Sequence, residues 1–138
     1  DFFVGYRKTA LAIDELLLRV ELPALTGNEK LHYRKVGTRR AQSISKTIVA
    51  LRAGLSGDAL TGVRAAAGCV AAVPLRLKGA EQAREGRHAT DSLWSEMRRA
   101  LGGDIKPIDD VRSTAEYRLE VTGNVLEGLA RRIAEGGA

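Results

Sequence analysis

The sequence predicts an α+β fold in which helices cover one face of an antiparallel sheet. Four strand-like runs occupy the first half of the chain, three helical runs occupy the second half, and Pro74 separates the two. Strands that follow one another without intervening helices usually pair as antiparallel neighbours. The 138 residues, 44% of them hydrophobic, suit one domain with one core, and residues 1–138 are therefore expected to form a single domain.

Four strands are predicted, the first from alternation of its side chains and the others as runs next to turn residues. In residues 16–22, Leu16, Leu18, Val20 and Leu22 alternate with Leu17, Arg19 and Glu21 before Pro23, a pattern typical of a half-buried strand. The second strand is expected at 31–36, and it ends at Gly37. The third and fourth are expected at 47–55 and 62–71, joined by a turn at 56–58, although the alanines of 62–71 also favour helix.

Three amphipathic helices are predicted after Pro74. The first covers residues 75–84, and the second covers 91–101 and ends at the Gly102-Gly103 pair. The third begins at Ser113, where Glu116 three residues later completes a capping box. The residues expected on its buried face are Ala115, Leu119, Thr122, Leu126, Leu129 and Ile133.

Residues 33–46 form a strongly basic segment, which we call the basic loop; its Gly37-Thr38 turn directly follows the second predicted strand. Its cations are Arg34, Lys35, Arg39, Arg40 and Lys46, and they surround the dipeptide Gly37-Thr38. A glycine allows the backbone to approach a ligand closely, and Arg and Lys side chains bind phosphate oxygens. The loop is therefore expected to face an anionic group. The residues alone leave a second interpretation open, namely a basic turn that faces only water.

Composition excludes several classes of protein. No apolar stretch approaches the roughly 20 residues of a membrane span, and the net charge of +5 permits an anionic partner without requiring one. Cys69 is the only cysteine, which favours a reducing compartment and so a cytoplasmic location. The first residues lack the features of a signal peptide. Without an initiator Met, the chain is expected to be the C-terminal portion of a longer polypeptide.

Catalytic and metal-binding patterns are weak. His32 and His88 show no metal-ligand spacing with Cys69, and His32 is expected at the surface of its strand. The Ser43-x-x-Lys46 match to penicillin-recognising enzymes lacks the other motifs of that class and is interpreted as chance. No aromatic residues interleave with the basic ones, which disfavours a nucleic-acid partner. No catalytic residue, metal ligand, nucleic acid or membrane is therefore expected.

Three separated motifs resemble the C-terminal part of the flavin-binding domain of molybdenum hydroxylases, in particular the bacterial xanthine dehydrogenase small subunit. Residues 2–9 (Phe-Phe-Val-Gly-Tyr-Arg-Lys-Thr) run into residues 14–23 (Asp-Glu-Leu-Leu-Leu-Arg-Val-Glu-Leu-Pro). The basic loop, at 35–46, resembles the flavin-side loop of this family, and residues 113–118 resemble the start of its last helix.

This resemblance implies a sheet of three or four antiparallel strands backed by three helices on one face, like the CO dehydrogenase flavoprotein C-terminal domain. It also implies one wall of an FAD site, completed by upstream FAD-binding subdomains. In the parent enzyme, electrons from purine hydroxylation at the molybdenum of a molybdopterin cofactor would pass through 2Fe-2S clusters on an iron–sulfur domain to FAD and then to NAD. Leu17 and Lys35 fall at FAD-contacting positions, and Arg39 and Arg40 lie in the mobile loop near the isoalloxazine.

The chain departs from the family pattern at one place, and the residues also allow an alternative function. Many members of the family carry acidic residues where this chain has Ala41, Gln42 and Ser43, so a carboxylate that controls nicotinamide access is not expected here. The alternative function is a non-catalytic docking domain, in which Arg39 and Arg40 bind an acidic protein partner. In either case the isolated chain is expected to be inactive, because the glycine-rich segments that bind the FAD pyrophosphate are missing.

Overall fold

The computed structural model describes residues 2–83, 86–88 and 91–136. The strands are β1 (Phe3–Gly5), β2 (Lys8–Thr9), β3 (Lys30–Gly37), β4 (Ser45–Ser56), β5 (Ala59–Gly68) and β6 (Leu75–Arg76), and the helices are α1 (Lys78–Gln82), α2 (Asp91–Asp104) and α3 (Ala115–Ala134). The last four strands form an antiparallel sheet in the order β3-β4-β5-β6, and β1 and β2 form a separate ribbon. The predicted α+β fold, with a four-stranded sheet backed by three helices, is confirmed.

The hairpin of β4 and β5 forms the centre of the sheet. Its two-residue connection, Gly57-Asp58, places Gly57 at a φ of 59°, which a glycine adopts without strain. The hydrophobic side chains that point to the helices are 0–3% exposed: Val49, Leu51 and Ala53 on β4, and Val63, Ala65 and Ala67 on β5. The alanines of β5 therefore serve as small packing residues of a strand, and pairing with β4 overrides their preference for helix.

The predicted strand at 16–22 is wrong, because the structure shows no secondary structure there. Leu16, Leu18 and Leu22 are 83–89% exposed. A strand requires a neighbour to accept its backbone hydrogen bonds and a surface to cover its apolar side. The described part of the chain offers this segment neither. The alternation in the sequence is real, but it does not form a strand within this fold.

The first predicted helix begins later than expected. Leu75 and Arg76 pair with β5 as β6, and α1 begins only at Lys78. Leu77 precedes α1 and has no polar side chain to cap the helix. The Asp104 carboxylate caps it instead, accepting hydrogen bonds from the backbone N–H groups of Gly79 (3.0 Å) and Ala80 (3.1 Å).

This contact also explains the end of α2. The helix was expected to stop at Gly102-Gly103, but it continues through both glycines to Asp104. Buried Leu101 and Ile105 anchor the chain on either side of the glycines, and the Ile105 N–H donates to the Leu101 carbonyl at 3.2 Å. Packing of α2 against α1 therefore outweighs the low helix propensity of glycine.

The third helix is capped one residue later than predicted. The Thr114 hydroxyl, and not that of Ser113, accepts a hydrogen bond from the Tyr117 N–H at 3.1 Å. Ser113 belongs to a turn in which its backbone N–H donates to Asp110 Oδ1 at 3.1 Å. The predicted capping box between Ser113 and Glu116 is therefore wrong.

The predicted buried face of α3 is confirmed at four positions, which are Thr122, Leu126, Leu129 and Ile133. Leu119, in contrast, is 40% exposed, and Arg118 is buried in its place.

Glu81 connects α1 to the edge of the sheet and gives a testable pH dependence. Its carboxylate accepts hydrogen bonds from the Ala65 N–H (2.9 Å) and from Arg76 Nε and Nη2 (both 2.6 Å). Burial raises the pKa of Glu81, but the hydrogen bonds from Arg76 and Ala65 outweigh burial and hold that pKa below its ordinary value. Folding is therefore stabilised by the ionised form.

We expect Glu81→Gln to lower the free energy of unfolding by about 2 kcal/mol at pH 7. Because the folded pKa is depressed, the wild-type advantage is fully present above the unfolded pKa of about 4.3 and is lost as the pH falls through the folded value. Urea unfolding at pH 7 and pH 3 measures both effects, with Glu116→Gln on the exposed start of α3 as the control. A difference between Glu81→Gln and wild type that does not change with pH would contradict this account.

Candidate functional site

An open groove lies at the end of β3, where the chain enters the basic loop. We call it the cationic groove; its volume is about 720 Å³, and it is lined by residues 33–40. This lining contains Arg34, Lys35, Arg39 and Arg40 and no carboxylate. Within the part of the chain that the structure describes, none of these four cations forms an ion pair with a carboxylate. Their positive charge is uncompensated, which favours an anionic occupant.

Strand β3 places the two cations that it contributes to the groove, Arg34 and Lys35, on opposite faces of the sheet. Arg34 pairs with buried Val49 and lies on the side of the helices, whereas Lys35 pairs with Ile48 and lies on the open face. Because β3 is an edge strand, the groove continues around that edge and is lined by both residues. Lys35 is therefore the strand cation that an occupant of the open face would contact.

The sequence suggests that Gly37 lets the backbone approach a ligand closely. The structure adds a second reason for a glycine, which is the lack of space for a side chain at this position. A Cβ at this position would lie 2.1 Å from the Ser43 Oγ, so a larger residue would collide with the returning loop. The register of β3 and β4 shifts between Val36 and Gly37, which forms the bulge that turns the chain into the loop. Within this loop Gln42, and not Gly37, has a left-handed backbone conformation, with a φ of 47°.

Arg39 partly stabilises its own loop. Its Nη2 and Nε donate to the Gln42 carbonyl at 2.7 and 3.2 Å, and the Ser43 hydroxyl donates to the Arg39 carbonyl at 3.1 Å. Three of the five guanidinium N–H donors remain for a ligand. Arg40 is exposed and makes no hydrogen bond within the described residues. Arg39 therefore shapes the groove, while Lys35 and Arg40 are available to an anion.

The structure brings together three of the four predicted cofactor-binding residues. Lys35, Arg39 and Arg40 line the cationic groove, but Leu17 is not among the lining residues. Leu17 is 53% exposed and lies in the segment without secondary structure.

A second cavity, of about 450 Å³, lies beside the other end of the basic loop. Its walls include apolar Ile44 and Ile108, the Tyr6 side chain, and the cations Lys106, Arg112 and Arg118. Sequence reasoning did not find this cavity, because its residues come from four separate segments and show no common pattern. Only the fold brings them together.

Arg118 holds the walls of this second cavity in place. It is 4% exposed, and its Nη1 donates to the carbonyls of Lys46 (2.9 Å) and Cys69 (2.7 Å), while its Nη2 donates to Asp110 Oδ1 (2.8 Å). The Arg112 N–H and the Arg118 guanidinium together hold the pKa of Asp110 below its ordinary value, although burial opposes them. The Arg118 guanidinium therefore connects three parts of the chain, namely the start of β4, the chain after β5 and the turn before α3.

The remaining candidates lie elsewhere. His32 was expected at the surface, but it is half-buried, and its Nε2 is buried without a hydrogen-bond partner. Cys69 is exposed and adopts a φ of 67°. Among residues 2–83, 86–88 and 91–136, no three His, Cys, Asp or Glu side chains cluster in a way that could hold a metal ion. None of the described helices is both long and apolar enough to cross a membrane.

Comparisons with known proteins show which protein family this chain belongs to. The model of the CO dehydrogenase flavoprotein C-terminal domain matches residues 32–133, and the chain belongs to this family. The glyceraldehyde dehydrogenase medium chain of Sulfolobus acidocaldarius is 32% identical over 121 residues, which cover 88% of this chain and 42% of that protein. The prediction that the chain is the C-terminal domain of a molybdenum hydroxylase flavoprotein subunit is confirmed.

Solved structures share the fold. A carbon monoxide dehydrogenase from Hydrogenophaga pseudoflava superposes with a TM-score of 0.91 at 24% identity, covering 99% of this chain and 47% of that one. Quinoline 2-oxidoreductase from Pseudomonas putida 86 superposes with a TM-score of 0.85 at 20% identity, with the same coverage of both chains. The chain thus spans less than half the length of these relatives.

Proposed function

We propose that this chain forms one wall of the FAD site in the flavoprotein subunit of a molybdenum hydroxylase. The observation that carries the proposal is the cationic groove, in which four cations lie together with no carboxylate among the lining residues. The reduced isoalloxazine of FAD is anionic, so this end of the cofactor suits such a surface. Bound FAD would accept electrons from iron–sulfur clusters and pass them to an acceptor.

The residues of the groove fit this cofactor in part. Lys35 and Arg40 have free donors, and Arg39 retains donors after closing its loop. The groove is open, and its lining has no glycine-rich phosphate-binding segment, so this chain would supply charge to one side of the flavin only. The other walls, including the one that holds the pyrophosphate, would come from upstream FAD-binding subdomains. In this arrangement Leu17 would contact FAD from the exposed segment.

A positive charge close to the flavin gives this chain a chemical role. Lys35 and Arg39 would stabilise the anionic reduced form relative to the neutral oxidised form, and so would raise the flavin potential. The neutral residues Ala41, Gln42 and Ser43 leave the positive potential of the loop undiminished. The chain's contribution is therefore to bind FAD and to tune its potential, without a catalytic residue of its own.

For the parent enzyme, we propose a cytoplasmic, xanthine dehydrogenase-like oxidoreductase that hydroxylates a purine and reduces NAD. This finer assignment is supported by the motifs at 2–23 and 35–46 alone, since the relatives are named for carbon monoxide, quinoline and glyceraldehyde. Its partners would be an iron–sulfur domain and a molybdenum-binding subunit. Assays of the purified holoenzyme with xanthine, glyceraldehyde and carbon monoxide, each with NAD or an artificial acceptor, distinguish the candidates.

We expect Lys35→Ala combined with Arg39→Ala, in the full-length flavoprotein subunit, to weaken FAD binding about tenfold or more and to make the flavin potential more negative. Both effects follow from removing positive charge next to an anionic cofactor. FAD content is measured by absorbance after gel filtration, and the potential by redox titration. Arg99→Ala, which removes an exposed cation of α2, is the matched control and should change neither quantity.

Unchanged FAD content together with an unchanged potential would refute this function. If the double variant instead keeps both values but fails to assemble with its partner subunits, the alternative is favoured, in which the loop docks an acidic protein surface.

A further inference from the structure

The first turns of α3 hold the C-terminal end of the basic loop. Lys46 is the last residue of this loop, and its Nζ lies 4.7 Å from the centroid of the Tyr117 ring. The backbone carbonyl of Lys46 accepts a hydrogen bond from Arg118 Nη1 at 2.9 Å. Tyr117 and Arg118 follow one another on α3. Two consecutive residues of the helix therefore contact one residue of the loop, at its side chain and at its backbone.

Lys46 is also the extra residue of a β-bulge. The register of β3 and β4 shifts after Val36, which lies opposite Thr47, because the next residue of β3 lies opposite Ser45. The pairing therefore passes over Lys46. The extra residue of a bulge is left out of the ladder, and the bulge bends its strand. The hydrogen bond from Arg118 thus satisfies a carbonyl at the irregular position where the basic loop returns to the sheet.

Buried polar contacts fix α3 to the next residue of β4. The hydroxyls of Thr47 and Thr122 lie 2.8 Å apart, and both residues are 0% exposed. The Thr122 hydroxyl donates to the Arg118 carbonyl at 2.6 Å, so its one proton is used, and the Thr47 hydroxyl is the donor to Thr122. A buried hydroxyl that loses its partner is not rehydrated, so these contacts resist displacement. The start of α3 is therefore a firm support for residues 46 and 47.

Arg39 closes the tip of the basic loop on itself. Its guanidinium donates to the Gln42 carbonyl, and its own carbonyl accepts a hydrogen bond from the Ser43 hydroxyl. Arg40 lies inside this closed tip. Within the described residues, no hydrogen bond or ion pair joins the tip to another element. The direction of the chain at Lys46 therefore sets where Arg39 and Arg40 lie.

We propose that Tyr117 and Arg118 are positioning residues for the flavin site, because by holding Lys46 at the bulge they set the distance of Arg39 and Arg40 from the isoalloxazine. This inference rests on the proposed function, since it takes FAD as the occupant of the cationic groove. Neither Tyr117 nor Arg118 lines that groove, so both act through the loop. When their contacts are loosened, the cations move away and stabilise the anionic reduced flavin less. The flavin potential then becomes more negative.

The test uses the full-length flavoprotein subunit with Tyr117→Leu, a change at a side chain that is 41% exposed. We expect FAD to bind about two- to fivefold more weakly, as for the loss of one exposed cation–π contact, and the flavin potential to become more negative. Tyr117→Phe keeps the ring and should match wild type in both quantities. Leu119→Ala alters a side chain of the same helix that is 40% exposed, and it is the matched control.

A double-mutant cycle separates positioning from a general loss of stability. In a subunit that carries both Arg39→Ala and Arg40→Ala, Tyr117→Leu should no longer change the flavin potential, because the cations that Tyr117 positions are absent. Arg118→Lys should behave in the same way, with a more negative potential only when both arginines are present. Equal shifts in the two backgrounds, or a Tyr117→Leu potential equal to that of wild type, would overturn the proposal.

Hydrogen exchange of residues 41–46 reports on the loop independently of FAD. Tyr117→Leu should speed the exchange of these amides about two- to fivefold, whereas Tyr117→Phe should leave it unchanged. Unchanged exchange in Tyr117→Leu would overturn the proposal. If exchange is faster while Lys35→Ala combined with Arg39→Ala leaves FAD content and potential unaltered, the proposed flavin function fails and the positioning of the loop by α3 stands.

Discussion

Replacement of Arg118 by leucine is expected to lower the free energy of unfolding by about 3 kcal/mol, since it removes a buried guanidinium that donates hydrogen bonds to two backbone carbonyls and to the partly exposed Asp110. The loss leaves the carbonyls of Lys46 and Cys69 without their donor and Asp110 without its buried cation. Removing one partner of a fully buried ion pair costs about 3–5 kcal/mol. We expect a loss at the lower end of this range because the Asp110 side chain is 26% exposed and regains some hydration. Urea unfolding monitored by circular dichroism measures the change.

Arg112 provides the matched control for this prediction. Its Nη1 lies 3.5 Å from Asp110 Oδ2, but its side chain is 47% exposed. Arg112→Ala is therefore expected to cost less than about 1 kcal/mol. Arg118→Lys should be intermediate, because one ammonium group keeps the charge but cannot reproduce the planar fork that reaches three acceptors. Equal losses for Arg118→Leu and Arg112→Ala would show that Arg118 does not organise the second cavity.

Leu126→Ala is expected to destabilise the fold by about 3 kcal/mol, within the range found for fully buried leucines. Leu126 is 0% exposed and lies on the face of α3 that packs against the sheet, so truncation leaves a cavity there. The effect is read as a shift of the unfolding midpoint in urea. The protein should keep its helix content at low denaturant.

Leu119→Ala on the same helix tests which face is buried. The sequence pattern assigned both leucines to the buried face, but Leu119 is 40% exposed. We expect Leu119→Ala to cost less than about 1 kcal/mol. Equal losses of stability for the two variants would show that α3 buries both leucines, contrary to this prediction.

The regular elements of the sheet and helices were largely predictable. The central hairpin was predicted as two strands joined by a turn at 56–58, although its second strand was placed at 62–71 and lies at Ala59–Gly68. Its buried side chains follow the period of two of a strand that is buried on one face. The stripe of α3 from Thr122 to Ile133 follows from the period of a helix. Both patterns are local in sequence, so they can be recognised without knowing which surface the strand or helix packs against.

The candidate site was predictable only in its composition. The density of cations at 34–40 predicts an anion-facing loop, and three of the four predicted cofactor-binding residues line one groove. The division of roles within that groove was not predictable. Whether Arg39 donates to Gln42 or faces a ligand depends on how the loop returns to the sheet, and no residue type encodes that path by itself.

By itself, the sequence determined the α+β class, the central hairpin, most of the buried face of α3 and the basic character of the loop, because each depends on periodicity or charge. Only the tertiary structure decided that residues 16–22 have no strand neighbour among the described residues, that Asp104 caps α1, and that Arg118 is buried. Each of these outcomes depends on a contact between residues distant in sequence. Whether an apolar or charged side chain is buried is decided by the surface it meets, and the local pattern does not contain that surface.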